Sequence, residues 1–263
     1  MKNSEKTPSS IFITGASSGI GKALCEAYAQ KDVTLFVCGR NIERLNEISK
    51  TCNQKGAIVH IFQFDTTNKE ETRRAILEAN NIKPLELIIA NAGVSGGVLG
   101  KEDTEESIRQ ILNTNINGVI NTVLPAIDIF KQKKEGQIAL MSSIAGFRGL
   151  MNCPSYSASK NFVKAWGEAL RGSLKPDNIK VNVICPGFVK TPLTDKNLFK
   201  MPFLMQADRA AQIIKNGLLK NKGIIAFPKI MHFTIALVTA LPRCMTNPIF
   251  EYLPQKEKKS KKV

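Results

Sequence analysis

Thr14-Gly-Ala-Ser-Ser-Gly-Ile-Gly21 is the stretch that decides the fold of this chain. It follows a short apolar run at 10–14 and precedes an amphipathic stretch at 20–30. Strand, glycine-rich turn and helix in that order open a βαβ unit. Gly15 permits the tight turn. Gly19 removes a Cβ where the backbone must approach a pyrophosphate, and Gly21 lets the helix pack closely on the strand. Ser17, Ser18 and Ile20 complete the loop, and the free N–H groups at the helix N-terminus meet phosphate charge. The spacing is G-x3-G-x-G, not the older G-x-G-x-x-G fingerprint. Taken alone, such a stretch is also compatible with a plain turn.

The rest of the chain extends the pattern. Short β-branched runs fall at 10–14, 33–38, 57–62, 85–90, 137–142, 180–184 and 223–227. Between them lie helical stretches at 20–30, 42–52, 69–80, 105–130, 156–174 and 207–220. Continuous apolar runs suit strands buried on both faces. The alternation predicts an α/β, Rossmann-type doubly wound sheet of seven parallel strands, with helices on both faces. Pro125 is expected to kink or split the 105–130 helix. No composition break precedes residue 228, so one domain is expected over 1–228. An apolar extension and lysine-rich tail follow over 229–263.

The 263 residues carry a net charge of +15, and 43% of them are hydrophobic. The last nine residues hold five Lys and one Glu, so the body is basic as well. Such a body attracts phosphates, anionic lipids or nucleic acid, and composition does not choose among them. No aromatic-interleaved basic stripe is present, so no specific nucleic-acid binding is expected. The six cysteines form no C-x-x-C pair and lie away from His60 and His232, so no metal site is expected. Residues 1–10 are polar, not a signal-peptide run, and free thiols suit a reducing cytoplasmic setting.

The second apolar run ends Val37-Cys-Gly-Arg40, with no acid until Glu43. NAD-binding folds often place a carboxylate here for the ribose 2′-OH, whereas a cation suits a 2′-phosphate. Arg40 therefore favours NADP(H) over NAD(H), with Lys22 a weaker candidate. The plainer reading is an arginine that ends a strand in solvent. Further on, Ser155-Tyr-Ser-Ala-Ser-Lys160 opens a helix and puts Tyr156 and Lys160 on one face. A phenol with a pKa of about 10 is a poor base near neutrality, and an adjacent ammonium favours tyrosinate. An isolated Y-x3-K pair is usually an ordinary amphipathic helix.

This pair is not isolated. Over roughly 10–227 the chain resembles the short-chain dehydrogenase/reductase family, in the 14–21 loop and in Asn91-Ala-Gly93. It is also similar in Asn113-Thr-Asn-Ile-Asn-Gly118, in Ser142-Ser143 and in Pro186-Gly187 followed by Thr191. The resemblance implies an NADP-preferring, carbonyl reductase-like enzyme. Ser143, thirteen residues before Tyr156, would bind the substrate carbonyl and stabilise the alkoxide. Tyr156 would transfer the proton. Lys160 would bind the nicotinamide ribose and depress the Tyr156 pKa, and Asn115 would hold a water linking Lys160 to solvent. Asp65 and Thr66 would contact the adenine. Asn91, Ala92 and Gly93 would line the cofactor cleft, Pro186 and Gly187 would receive the nicotinamide, and Val189 with Thr191 would hold its carboxamide. A homodimer or homotetramer is the family's usual assembly.

Residues 193–206, with Leu198, Phe199, Met201, Phe203, Leu204 and Met205, read either as an apolar lid or as a helix packing on the core. A lid would imply a lipid- or steroid-like ketone. The apolar stretch at 233–241 is too short to span a bilayer, which takes about 20 residues. It is open to three readings: an interfacial segment beside an anionic membrane surface, a subunit contact, or a cover on the pocket. The leading function is NADPH-dependent interconversion of a small-molecule carbonyl and alcohol. An NAD-dependent alcohol dehydrogenase and a non-catalytic NADP sensor or scaffold are the alternatives.

Overall fold

The computed structural model describes residues 7–95, 104–195, 200–242 and 244–246. Its strands are β1 (Ser10–Thr14), β2 (Thr34–Gly39), β3 (Ile58–Gln63), β4 (Leu87–Ala90), β5 (Gly136–Met141), β6 (Ile179–Pro186) and β7 (Ile224–Phe227). All pair in parallel in the order β3-β2-β1-β4-β5-β6-β7. The order reverses between β1 and β4, the crevice where doubly wound sheets bind ligands. The seven-stranded Rossmann-type sheet expected from the alternation is therefore present.

The strand side chains alternate between two cores. Ile11, Ile13, Leu35, Val37, Leu87 and Ile89 pack under α1 (Gly19–Tyr28), α2 (Ile42–Gln54) and α7 (Ala207–Leu219). Phe12, Phe36, Ile88, Ile138 and Leu140 pack on the other face. There they meet α3 (Lys69–Ile82), α5 (Gly118–Lys133) and α6 (Pro154–Ser173). A period of two with both faces apolar is why these strands read as unbroken hydrophobic runs.

One boundary differs from the sequence reading. The 105–130 stretch is α4 (Glu105–Leu112), a π-helical turn over Asn113–Asn117, and α5, which runs through Pro125 without a break. The interruption falls on the asparagine-rich segment because Asn115 is fully buried and its side chain is drawn sideways. Its amide accepts from Val94 N (2.8 Å) and donates to Val94 O (2.9 Å) and Ser159 Oγ (3.0 Å). Asparagine competes for backbone partners in this way, and a π turn absorbs the extra residue. After β7, α8 (Lys229–Ala240) packs on the 3-10 turn Ile144–Phe147, with Phe147 and His232 ring centroids 5.3 Å apart.

Candidate active site

Most of the sequence-predicted positions lie at or beyond the C-terminal ends of strands, with 15–21 after β1, Arg40 after β2 and Asp65 after β3, whereas Asn115 sits in the π turn and Tyr156 and Lys160 on α6. Asn91 follows β4, Ser143 follows β5, and Gly187 follows β6. A parallel sheet with one reversal of order brings these ends to a single edge.

The loop after β1 is held from inside. Gly15 and Gly19 have φ of +64° and +55°, the left-handed region that glycine enters without a Cβ clash. A Cβ at Gly21 would stand 2.2 Å from Gly15 O and 2.6 Å from Asn91 Nδ2. Gly21 is thus required by the turn itself and by Asn91, more directly than by the strand. Asn91 Nδ2 donates to Thr14 O (2.9 Å) and Gly15 O (3.2 Å). Thr14 Oγ1 accepts from Asn91 N (3.0 Å) and Ala92 N (3.1 Å). The side chain of Asn91 is therefore spent on shaping the loop. Thr14, which sequence reasoning used only as the loop's first residue, is the other half of this brace.

Ser18 caps α1 in extended conformation without a side-chain cap bond, and the first backbone bond of the helix is Lys22 N to Ser18 O. The N–H groups of Gly19, Ile20 and Gly21 therefore have no acceptor within the helix, which is the donor set a pyrophosphate needs. The residues present fit a nicotinamide dinucleotide. A Cβ at Gly19 would come within 3.0 Å of Thr191 Cγ2, so the loops after β1 and β6 abut.

Arg40 Nη1 stands 3.4 Å from Asp65 Oδ2, and both side chains are exposed. Burial pushes the Asp65 carboxyl up. Its hydrogen bonds from Thr67 and the neighbouring Arg40 guanidinium outweigh that and hold it below the ordinary carboxylate range. The hydroxyl of Thr66 packs against Gly118, where a Cβ would stand 2.6 Å from it. Thr66 thus faces α5, which makes Asp65 the more available of the pair for an adenine.

At the end of β5 and just past it, three consecutive residues address the Tyr156–Lys160 pair. Lys160 Nζ donates to Met141 O (2.9 Å), Ser142 Oγ donates to Lys160 O (2.7 Å), and Ser143 hydrogen-bonds the Tyr156 phenol. Lys160 Nζ lies 5.8 Å from the Tyr156 ring centroid, so the pair shares one face of α6. A Cβ at Gly93 would be 3.1 Å from Asn115 Oδ1 and 3.2 Å from Lys160 Nζ, which places the lysine at the β4 side of the crevice. Ser143 is half-buried; its Oγ accepts from Ala145 N (3.1 Å) and donates to Pro186 O (3.4 Å). Ser159, missed by sequence reasoning, ties Asn115 to Tyr156 O at 2.7 Å.

The electrostatics differ from the expectation. Burial raises the Tyr156 pKa to about 12, and the contact that draws it down is Ser143, not Lys160. Burial also lowers Lys160 to about 8. In the protein alone, each group is therefore pushed toward its neutral form. Asn115 has both amide hydrogens committed, so any water it holds must use another of its atoms.

Val189 and Thr191 sit in a turn braced by Thr194. Thr194 Oγ1 donates to Val189 O (2.6 Å) and accepts from Thr191 N (3.0 Å). Gly187 N donates to Phe227 O (2.7 Å), and a Cβ there would meet Pro228 and Met231 at about 3 Å. Leu198 and Phe199 lie outside the described residues. Phe203 and Leu204 are exposed, and Met205 pairs with Val189 and packs on the core, in turns without a helix.

A family model for short chain dehydrogenases matches residues 9–201. An oxidoreductase of Myxococcus xanthus is 34% identical over 242 residues, covering 91% of this chain and 94% of that protein. Among solved structures, a short-chain dehydrogenase from Sphingobium yanoikuyae in complex with NADPH superposes with a TM-score of 0.77 at 22% identity. That match covers 95% of this chain and 98% of its own. A bulky-bulky ketone specific alcohol dehydrogenase from Comamonas testosteroni gives a TM-score of 0.76 at 19% identity, over 99% and 100% of the two chains. With the crevice, the braced loop and the Tyr-Lys pair in place, the chain belongs to the short-chain dehydrogenase/reductase family and is an oxidoreductase.

Proposed function

We propose that the enzyme reduces an apolar ketone to a secondary alcohol with NADPH, using Ser143, Tyr156, Lys160 and Asn115. The observation that carries this reading is the convergence of Ser143, Tyr156 and Lys160 at the edge of the crevice. When bound, the reduced nicotinamide supplies a hydride to the carbonyl carbon. Ser143 donates to the carbonyl oxygen and stabilises the developing alkoxide. Tyr156, protonated at neutral pH with its pKa at about 12, gives that oxygen its proton. Lys160, largely an ammonium below its pKa of about 8, stabilises the phenolate left behind and resupplies the proton. This charge state is the one from which the reductive proton step starts.

Arg40 supports NADP(H). Its pairing with Asp65 is exposed and worth only about 0–1 kcal/mol, so a 2′-phosphate dianion can take it over. Solved neighbours are named with NADPH and with NAD, so the NADP(H) assignment rests on Arg40. Exposed Met151, Leu193, Phe203 and Leu204 support a bulky apolar substrate, in line with the ketone named for the Comamonas enzyme. The test is Tyr156→Phe, assayed by NADPH oxidation over a panel of ketones that includes long-chain keto lipids. Turnover is expected to fall by about two to four orders of magnitude, with cofactor affinity kept. Unchanged turnover would remove Tyr156 from the mechanism.

A further inference from the structure

We propose that Ser159 is a positioning residue for ketone reduction: its hydroxyl fixes the amide of Asn115 and so ties the π turn to the turn of α6 that carries Tyr156 and Lys160. The inference rests on the roles proposed above for Tyr156, Lys160 and Asn115. Ser159 and Asn115 are both 0% exposed, so each polar atom must find its partner inside the protein. A serine has one hydroxyl proton, and Ser159 gives it to Tyr156 O at 2.7 Å. Toward Asn115 the hydroxyl therefore offers only a lone pair, and Asn115 Nδ2 donates to it at 3.0 Å. The same Nδ2 donates to Val94 O (2.9 Å), while Oδ1 accepts from Val94 N (2.8 Å). Turning the amide over would set oxygen against oxygen at Val94 O and at Ser159, and nitrogen against nitrogen at Val94 N.

Three segments far apart in the chain meet at this one amide: the loop after β4 through Val94, the π turn through Asn115, and α6 through Ser159. Locally, the serine gains nothing. Alanine is the better helix former, and a buried hydroxyl is costly unless it is bonded. The net contribution of the hydroxyl is therefore its bond to Asn115. That bond bears on the reacting groups directly. Ser159 is the residue before Lys160 and lies three after Tyr156, so the anchor sits within the same helical turn as the pair. A Cβ at Gly93 would stand 3.1 Å from Asn115 Oδ1 and 3.2 Å from Lys160 Nζ, so the amide oxygen and the amine border one small space. Without the hydroxyl, one hydrogen of Asn115 Nδ2 has no acceptor, and the amide or the π turn must shift to find one. The shift falls beside the amine of Lys160. The phosphate loop is braced separately, through Asn91 and Thr14, and is left in place.

The experiment is steady-state kinetics of the full chain with NADPH and the ketone of the panel above that the wild type reduces fastest. The variants are Ser159→Ala, Ser159→Thr, Asn115→Ala and Ser159→Ala/Asn115→Ala, each also titrated with NADPH. Ser159→Ala should lose roughly tenfold to a hundredfold in kcat, with ketone KM and NADPH affinity within about twofold of wild type. Threonine keeps the hydroxyl and its bond to the carbonyl three residues back, so Ser159→Thr should recover most of the lost kcat. In the Asn115→Ala background the serine change should cost no more than about twofold, because the group it acts through is gone. Rescue by threonine and the double-variant cycle are independent, so the result stays readable if one variant fails to fold. A kcat for Ser159→Ala within about twofold of wild type, or equal losses in kcat and NADPH affinity, would overturn the proposal. So would the same loss with and without Asn115. Those failures leave the proposed function standing. Absence of ketone turnover by the wild type, or full turnover by Asn115→Ala, would instead overturn the reading on which the proposal rests, and the proposal with it.

Discussion

If Lys160 must be an ammonium to support the proton step, ketone reduction should fail at a pH far below the range of an ordinary lysine. The side chain is 4% exposed, and burial lowers its pKa from 10.5 to about 8. The sign follows from this: the charged form is complete below about pH 7 and lost as pH rises through 8. The ammonium fraction is about nine-tenths at pH 7 and about one-tenth at pH 9. Log kcat/KM for reduction should be level to about pH 7.5, then fall about one decade per pH unit above 8.5. Tyr156 stays protonated across that window, with its pKa at about 12, so it does not produce the limb. The assay is initial-rate NADPH oxidation at subsaturating ketone and saturating cofactor, with Lys160→Met as the reference. A plateau holding to pH 10, or the same limb in the methionine variant, would refute the assignment of the limb to Lys160.

Three other outcomes test separate parts of the site. Arg40→Ala should weaken NADPH binding on the order of tenfold to hundredfold while leaving NADH within about twofold, as titration calorimetry would show; equal losses for both would end the 2′-phosphate argument. Gly21→Ala places a methyl 2.2 Å from Gly15 O, a strain of about 1–3 kcal/mol, so the melting temperature should fall and cofactor affinity should drop with it. Ser142→Ala and Ser143→Ala should separate. The first removes the bond to Lys160 O and should cost about 1 kcal/mol of stability with near-normal kcat, whereas the second should keep stability and lose about a hundredfold in kcat.

The sheet was legible because most strands are apolar on both faces and most turns, apart from those at 29–33 and 64–68, are marked by glycine or proline. The loop after β1 was legible because Gly15 and Gly19 take up a conformation that glycine favours. Long-range partnership was not legible. Nothing local tells that Asn91 spends its amide on Thr14 and Gly15, or that Ser159 links Asn115 to Tyr156. The π turn at 113–117 was read through as helix for the same reason: its cause is a contact with Val94, about twenty residues earlier. The direction of the Tyr156 shift was misjudged because spacing reveals the neighbouring cation but not the burial, and burial is the larger effect.

The separation of Ser143 from Tyr156 follows from how β5 ends. Met141, Ser142 and Ser143 are successive residues, yet they meet the amine of Lys160, the carbonyl of Lys160 and the phenol of Tyr156 in turn. One turn of α6 is therefore gripped at both ends by three residues of extended chain. β5 is itself held in register by Met141 opposite Ile184. Shifting β5 by a single residue would turn Ser143 to the opposite side of the chain and break all three contacts together. The connection over 144–153 can vary in its exposed positions, but Gly146 cannot, since a Cβ there would lie 2.7 Å from Lys160 O. Reactive geometry and strand register are thus one constraint. A substitution that loosens β5 against β6 should reduce turnover before it reduces cofactor binding, because the pyrophosphate donors belong to α1 and are braced separately through Asn91 and Thr14.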